Sequence, residues 1–120
     1  MLTSEQIAKA AVEVLASKIG RDIKLIKISE ITVLADYFVI CTANSTTQIK
    51  SLCDQVEAKL EELGEPVLHR EGYREGGWVL LDFGCVIVHV FMEETRQFYG
   101  LERLWADGEN VDITQLVGER

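Results

Sequence analysis

Residues 78–91 read WVLLDFGCVIVHVF, and their pattern sets the architecture of the chain. Two runs rich in β-formers, Trp78–Phe83 and Cys85–Phe91, flank a glycine, so the segment reads as a hairpin turning near Phe83-Gly84. With those two residues as the loop, Asp82 faces Cys85, Leu80 faces Ile87 and Trp78 faces His89. Side chains alternate across a strand, so Val79, Leu81, Val86, Val88 and Val90 share one aliphatic face that must meet the core. The other face carries Trp78, Leu80, Asp82, Ile87, His89 and Phe91. Large apolar groups beside an acid and a histidine fit two situations. One is a protein interface; the other is a face covered by a helix, with Asp82 and His89 satisfied internally.

Working outward, Asp36–Thr42 (DYFVICT) is a near-continuous apolar run and predicts a central strand covered on both faces. Ahead of it, Thr3 with Gln6 makes a capping-box pattern. Ile7, Ala11, Val14, Leu15 and Ile19 form one stripe, and Gly20 stops a helix expected over Ser4–Ile19. Asp22–Ile28 reads as a strand and Ser29–Ala35 as a connecting turn or short helical piece. A second helix opens at Ser45, with Gln48 completing another capping box. It carries the stripe Ile49, Leu52, Val56, Leu60 and Leu63 and closes at Gly64. A strand near Val67–Glu71 follows, and this strand–helix–strand unit predicts a parallel pair with a right-handed crossover. Beyond the hairpin, helical character runs over Glu93–Trp105. The expected organisation is one domain over residues 1–108 and a short, weakly patterned acidic tail over residues 109–120. The order gives an α/β sandwich with a mixed five-stranded sheet flanked by helices.

Composition narrows the function. Of 120 residues, 48% are hydrophobic and 27% charged, as in an ordinary globular domain. Apolar runs such as Trp78–Leu81 fall far short of the ~20 residues that span a bilayer. The stretch Met1–Glu5 has no signal-peptide character, so the expected compartment is the cytoplasm, with no membrane partner. Twelve basic against twenty acidic residues, a net charge of −8, oppose direct nucleic-acid binding; they favour a basic partner or serve solubility. Cys41, Cys53 and Cys85 form no C-x-x-C pair and read as reduced, mostly buried thiols. His69 and His89 stand in no metal-ligand spacing, so no metal is expected. There is no G-x-S-x-G elbow, and the glycines of Gly72–Gly77 match no phosphate loop; they read as a turn leading into the strand at Trp78. No cofactor is expected.

Several motifs occur together in order: DYFVICTANS from Asp36 followed by Gln48, Glu71-Gly72, GWVLLDFG over Gly77–Gly84, VIVHVF over Val86–Phe91, and R-x-x-Y-x-L-E-x-L-W from Arg96 to Trp105. In these the chain resembles the ribosome-silencing factor (RsfS/Iojap) family, across about Ile7 to Asp107. The resemblance implies a nucleotidyltransferase-like topology without the catalytic carboxylates and a homodimer when free. It implies binding to the large ribosomal subunit through large-subunit ribosomal protein fourteen. Bound there, the protein would block subunit association and repress translation under nutrient limitation. Ala43, where a glycine is common, and Cys85, where the hairpin usually has aspartate, depart from the pattern.

On this reading Trp78 and Leu80 are the expected anchors. Asp82 and Glu93 would meet basic side chains, with His89, Arg96 and Tyr99 around them. The competing reading makes Tyr99, Leu101, Leu104 and Trp105 core or dimer contacts. A rival class is a nucleotidyltransferase-like enzyme acting on a nucleotide, which is fold analogy alone. That chemistry needs a helix-start Gly-Ser and a D-x-D strand to hold two metal ions. Here the turn is Asn44-Ser45, and Leu80 stands two residues before the single Asp82, so no catalytic residue is assigned. A purely structural dimer subunit is the third reading.

Overall fold

The computed structural model describes residues 2–74 and 77–117. Helix α1, Ser4–Ser17, begins at the expected capping box: Thr3 Oγ1 accepts from the Gln6 backbone N–H (3.1 Å), and Gln6 Oε1 accepts from that of Thr3 (2.9 Å). It ends before Ile19, which turns into the left-handed region (φ 66°) and is exposed. That turn carries Gly20 in so closely that a side chain there would meet Cys41 Sγ at 2.6 Å. Strand β1, Arg21–Lys27, leads through a loop buried only at Ile28 and Ala35 into β2, Tyr37–Ala43, which is buried along its whole length, as a central strand must be. Helix α2, Thr46–Glu62, is capped by Ser45 Oγ, which accepts from the Gln48 N–H (3.0 Å). The expected reciprocal bond takes another form. Gln48 accepts from the Asn44 N–H (2.6 Å) and donates to the Ile19 carbonyl (3.2 Å), tying the start of α2 to the end of α1.

The remaining elements are β3 (His69–Glu71), β4 (Trp78–Asp82), β5 (Val86–Met92), α3 (Glu93–Tyr99), α4 (Leu101–Leu104), β6 (Glu109–Asn110) and α5 (Thr114–Val117). They build a mixed sheet in the order β3-β4-β5-β2-β1-β6, six strands where the sequence predicts five. The sixth comes from the segment read as an acidic tail. Glu109 and Asn110 pair with Lys27 and Ile26, and Val111, Ile113, Leu116 and Val117 pack against the main core. The last residues of that segment, 118–120, lie outside the described residues, as do Met1 and residues 75–76 of the expected glycine-rich turn. At the start of that turn Gly72 has φ +80°, and a side chain there would collide with the Trp78 carbonyl.

Two pairings differ from expectation for physical reasons. The parallel partner of β2 is β5, not β3, in register from Tyr37↔Val86 to Ala43↔Met92. A central position suits β5, an apolar run buried at five of its seven residues. His69-Arg70-Glu71 is exposed throughout and goes to the sheet edge, antiparallel to β4. The β4–β5 hairpin turns at Gly84-Cys85 instead of Phe83-Gly84, because Gly84 (φ +88°) supplies the positive φ at the first loop position. Asp82 Oδ1 accepts from the Gly84 N–H (2.7 Å) and braces the turn. The pairs are therefore Asp82↔Ile87, Leu80↔His89 and Trp78↔Phe91. This register is two residues from the expected one, and an even shift leaves the face assignment intact.

Val79, Leu81, Val86, Val88 and Val90 are fully buried against α1 and α2, in a core that includes Ile7, Val12, Leu15, Leu52, Val56 and Leu60. A smaller core lies on the opposite face, built from Ile26, Ile28, Ala35, Phe38, Ile40 and Phe91, with Leu101 and Trp105 packed against it. The helix expected over Glu93–Trp105 is broken at Gly100, whose left-handed backbone (φ 57°) separates α3 from α4. Among the described residues no helix is long and apolar enough to cross a membrane.

Candidate partner-binding face

The second face of the sheet divides in two. Over β2 and β1 it is covered: Trp105 sits edge-on to Phe38, with ring centroids 5.2 Å apart, and Leu101 packs beside it. Over β3, β4 and β5 it is only partly covered. Leu80, Asp82 and Ile87 are half-buried, and the edge strand adds exposed Glu71 opposite Leu80 and exposed His69 opposite Asp82. The covered-layer reading therefore holds over β2 and β1, and over β3, β4 and β5 the face stays partly open.

Between the halves lies an aromatic group. Trp78 stacks on Phe91 (centroids 4.8 Å, interplanar angle 27°) and meets Tyr99 at 4.9 Å. Tyr99 and Phe98 are 56% and 80% exposed and form an apolar rim. Beneath Trp78, His89 is only 3% exposed and lies 4.8 Å from the Phe38 ring centroid. The Trp78 indole Nε1–H donates to His89 Nδ1 across 3.2 Å, which places the imidazole proton on Nε2. That Nε2 is buried without a hydrogen-bond partner among the described residues. Burial pushes the His89 pKa down to about 3, so the ring is neutral at physiological pH.

Of the seven expected contact residues, five reach the surface: Trp78, Leu80, Asp82 and Tyr99 at this face, and Glu93 at the charged cleft beside Arg96. Trp78 and Leu80 are half-buried apolar groups, Asp82 lies beside them, and Glu93 and Tyr99 are exposed on α3. The structure corrects the expectation for the other two. His89 lies beneath the face, because the β5 position opposite Leu80 is roofed by Trp78. Arg96 is 9% exposed and committed internally: Nε donates to Glu102 Oε1 (2.6 Å), and Nη1 donates to the Asp22 carbonyl and to Thr42 Oγ1 (2.7 Å each). Arg96 thus clamps α3 to α4, β1 and β2. The same bond holds the Glu102 carboxyl below its ordinary pKa.

Beside the clamp is an open cleft of about 480 Å³ lined by Asp22, Glu93 and Glu102 and by Lys24, Arg96 and Arg103. Its opposite charges balance, which gives no preference for an anion or a cation. No group of three or more His, Cys, Asp or Glu is placed to hold a metal among the described residues. His69 and Glu71 join this face because β3 pairs with β4, a pairing that the strand–helix–strand pattern, which predicts β3 beside β2, does not disclose.

The family model described as ribosomal silencing factor during starvation matches residues 1–120. The ribosomal silencing factor RsfS of Bacillus subtilis is 36% identical over 112 residues, covering 93% of this chain and 95% of that protein. The crystal structure of a protein from Chromobacterium violaceum superimposes with a TM-score of 0.86 at 35% identity, covering 92% of each chain. A mouse protein named for mitochondrial assembly of the ribosomal large subunit is 31% identical over 97 residues, covering 78% of this chain and 42% of its own length. By sequence and by fold, the chain belongs to the ribosomal silencing factor family.

Proposed function

We propose that the chain represses translation by binding the large ribosomal subunit through large-subunit ribosomal protein fourteen and blocking its association with the small subunit when nutrients are limiting. The observation that carries this reading is the open half of the sheet: Leu80 and Ile87 at its centre and Trp78 at its border, with the carboxylates of Glu71 and Asp82 beside them. An apolar centre with two carboxylates along one side suits a basic protein surface. The net charge of −8 would draw such a partner in from a distance and disfavours direct docking on phosphates. Covering a face that the small subunit must also reach is occlusion, which needs no catalytic group. The chain would act in the cytoplasm and form a homodimer when free.

Mixing purified subunits with and without the protein tests this reading. Adding the protein to large subunits before small ones should reduce joined ribosomes in a gradient, with no nucleotide consumed. Unchanged joining at saturating protein would refute it.

A further inference from the structure

Trp78 reaches the open half of the face from a fixed base. The torsion that orients an aromatic ring is broad, and an indole N–H at a half-exposed position ordinarily finds water. Here the N–H points inward to His89 Nδ1 (3.2 Å) while the ring lies flat on Phe91. Stacking alone allows the ring to slide and turn; a directional bond to a buried acceptor selects one orientation.

His89 itself is costly to the fold. It is surrounded by Trp78, Phe38 and Phe91 and is 3% exposed, and its Nε2 has no hydrogen-bond partner among the described residues. A buried polar group that is only half satisfied destabilises relative to an aliphatic one of similar size. Beyond its ring contacts, what the imidazole adds is the acceptor for Trp78. We infer that His89 is a positioning residue, holding the indole of Trp78 in the orientation that a protein partner of this face meets, without touching the partner itself. This rests on the reading that the open half binds the large subunit. Ordering a side chain before the encounter spares its immobilisation on binding, an advantage of roughly two- to tenfold in affinity.

The test compares His89→Asn, whose Oδ1 can take the place of Nδ1, with His89→Leu, which fills similar space without an acceptor. Affinity for purified large subunits and melting temperature are measured on both. Exchange of the Trp78 indole proton is followed by NMR in the unmodified full chain, with the signal assigned through Trp78→Phe. The expected results are protection of that proton by about tenfold or more over a free indole, binding by His89→Asn within about threefold of the original, and weakening by about fivefold or more in a folded His89→Leu. An indole proton that exchanges freely in the unmodified chain overturns the proposal even if His89→Leu fails to fold. So does a folded His89→Leu that binds like the original while Trp78→Ala binds weakly. If Trp78→Ala itself binds undiminished, Trp78 is no anchor, and the reading of the face fails together with the inference.

Discussion

Arg96 and Glu102 pair at 2.6 Å across the helix break at Gly100, and the same guanidinium reaches Thr42, 54 positions earlier in the chain. One side chain thereby fixes α3 and α4, and with them Phe98 and Tyr99, relative to the centre of the sheet. Removing it leaves the Thr42 hydroxyl without its donor and Glu102 without its cation. Hydrogen bonds to charged groups contribute about 1.5–3 kcal/mol each where they are buried, and the half-exposed Glu102 contributes less. Arg96→Ala should therefore lower unfolding free energy by roughly 3 kcal/mol in denaturant titrations. Arg96→Lys should recover only part of it, since an ammonium cannot form the same fork.

Stability should fall in mild acid because of His89. Its folded pKa, about 3, is depressed below the ordinary value of 6.5 by burial, with no charged neighbour involved. Between those values the unfolded chain binds a proton that the folded chain refuses. The stabilisation is complete above pH 6.5 and is lost as pH falls toward 3. The slope should approach about 1.4 kcal/mol per pH unit. The Glu102 carboxyl, depressed from 4.5, adds its own loss only at lower pH. Denaturant titrations at about pH 7 and about pH 5 should differ by roughly 2 kcal/mol from this histidine, and His89→Asn should remove that part of the difference.

Strands β1 to β5 and helices α1 and α2 were legible because their signals are local. The Thr3–Gln6 capping box, the β2 apolar run and the alternation along β4 and β5 all led to the elements found. Pairing was harder to read. Nothing in residues 67–71 says that the strand skips two neighbours to reach the edge; only the contrast between exposed His69–Glu71 and the apolar β5 carries that information. The sixth strand was hidden because Glu109 and Asn110 are polar, and their pairing with β1 uses backbone groups alone. At the site, alternation placed Trp78, Leu80 and Asp82 on one face correctly. Alternation cannot tell how deep a residue lies, so His89 beneath Trp78 and the folded-in Arg96 read as surface contacts.

Glu71 offers a charge test separate from packing, because its side chain is exposed and lies opposite Leu80. Glu71→Lys should leave melting temperature nearly unchanged, as surface substitutions usually shift stability by within about 0.5 kcal/mol. It should slow association with large subunits several-fold at low salt, with the difference shrinking as salt rises. Stopped-flow association rates at two ionic strengths measure this.

If the open half of the sheet holds the large subunit, co-sedimentation of purified large subunits with Leu80→Asp should reveal it. Leu80 is half-buried at the centre of that half, on the face away from the main core, so the variant should stay folded. The original chain should travel with the large subunit, and Leu80→Asp, its circular dichroism and melting curve close to normal, should stay at the top of the gradient. A folded Leu80→Asp that sediments with the large subunit as fully as the original would contradict that role for the open half.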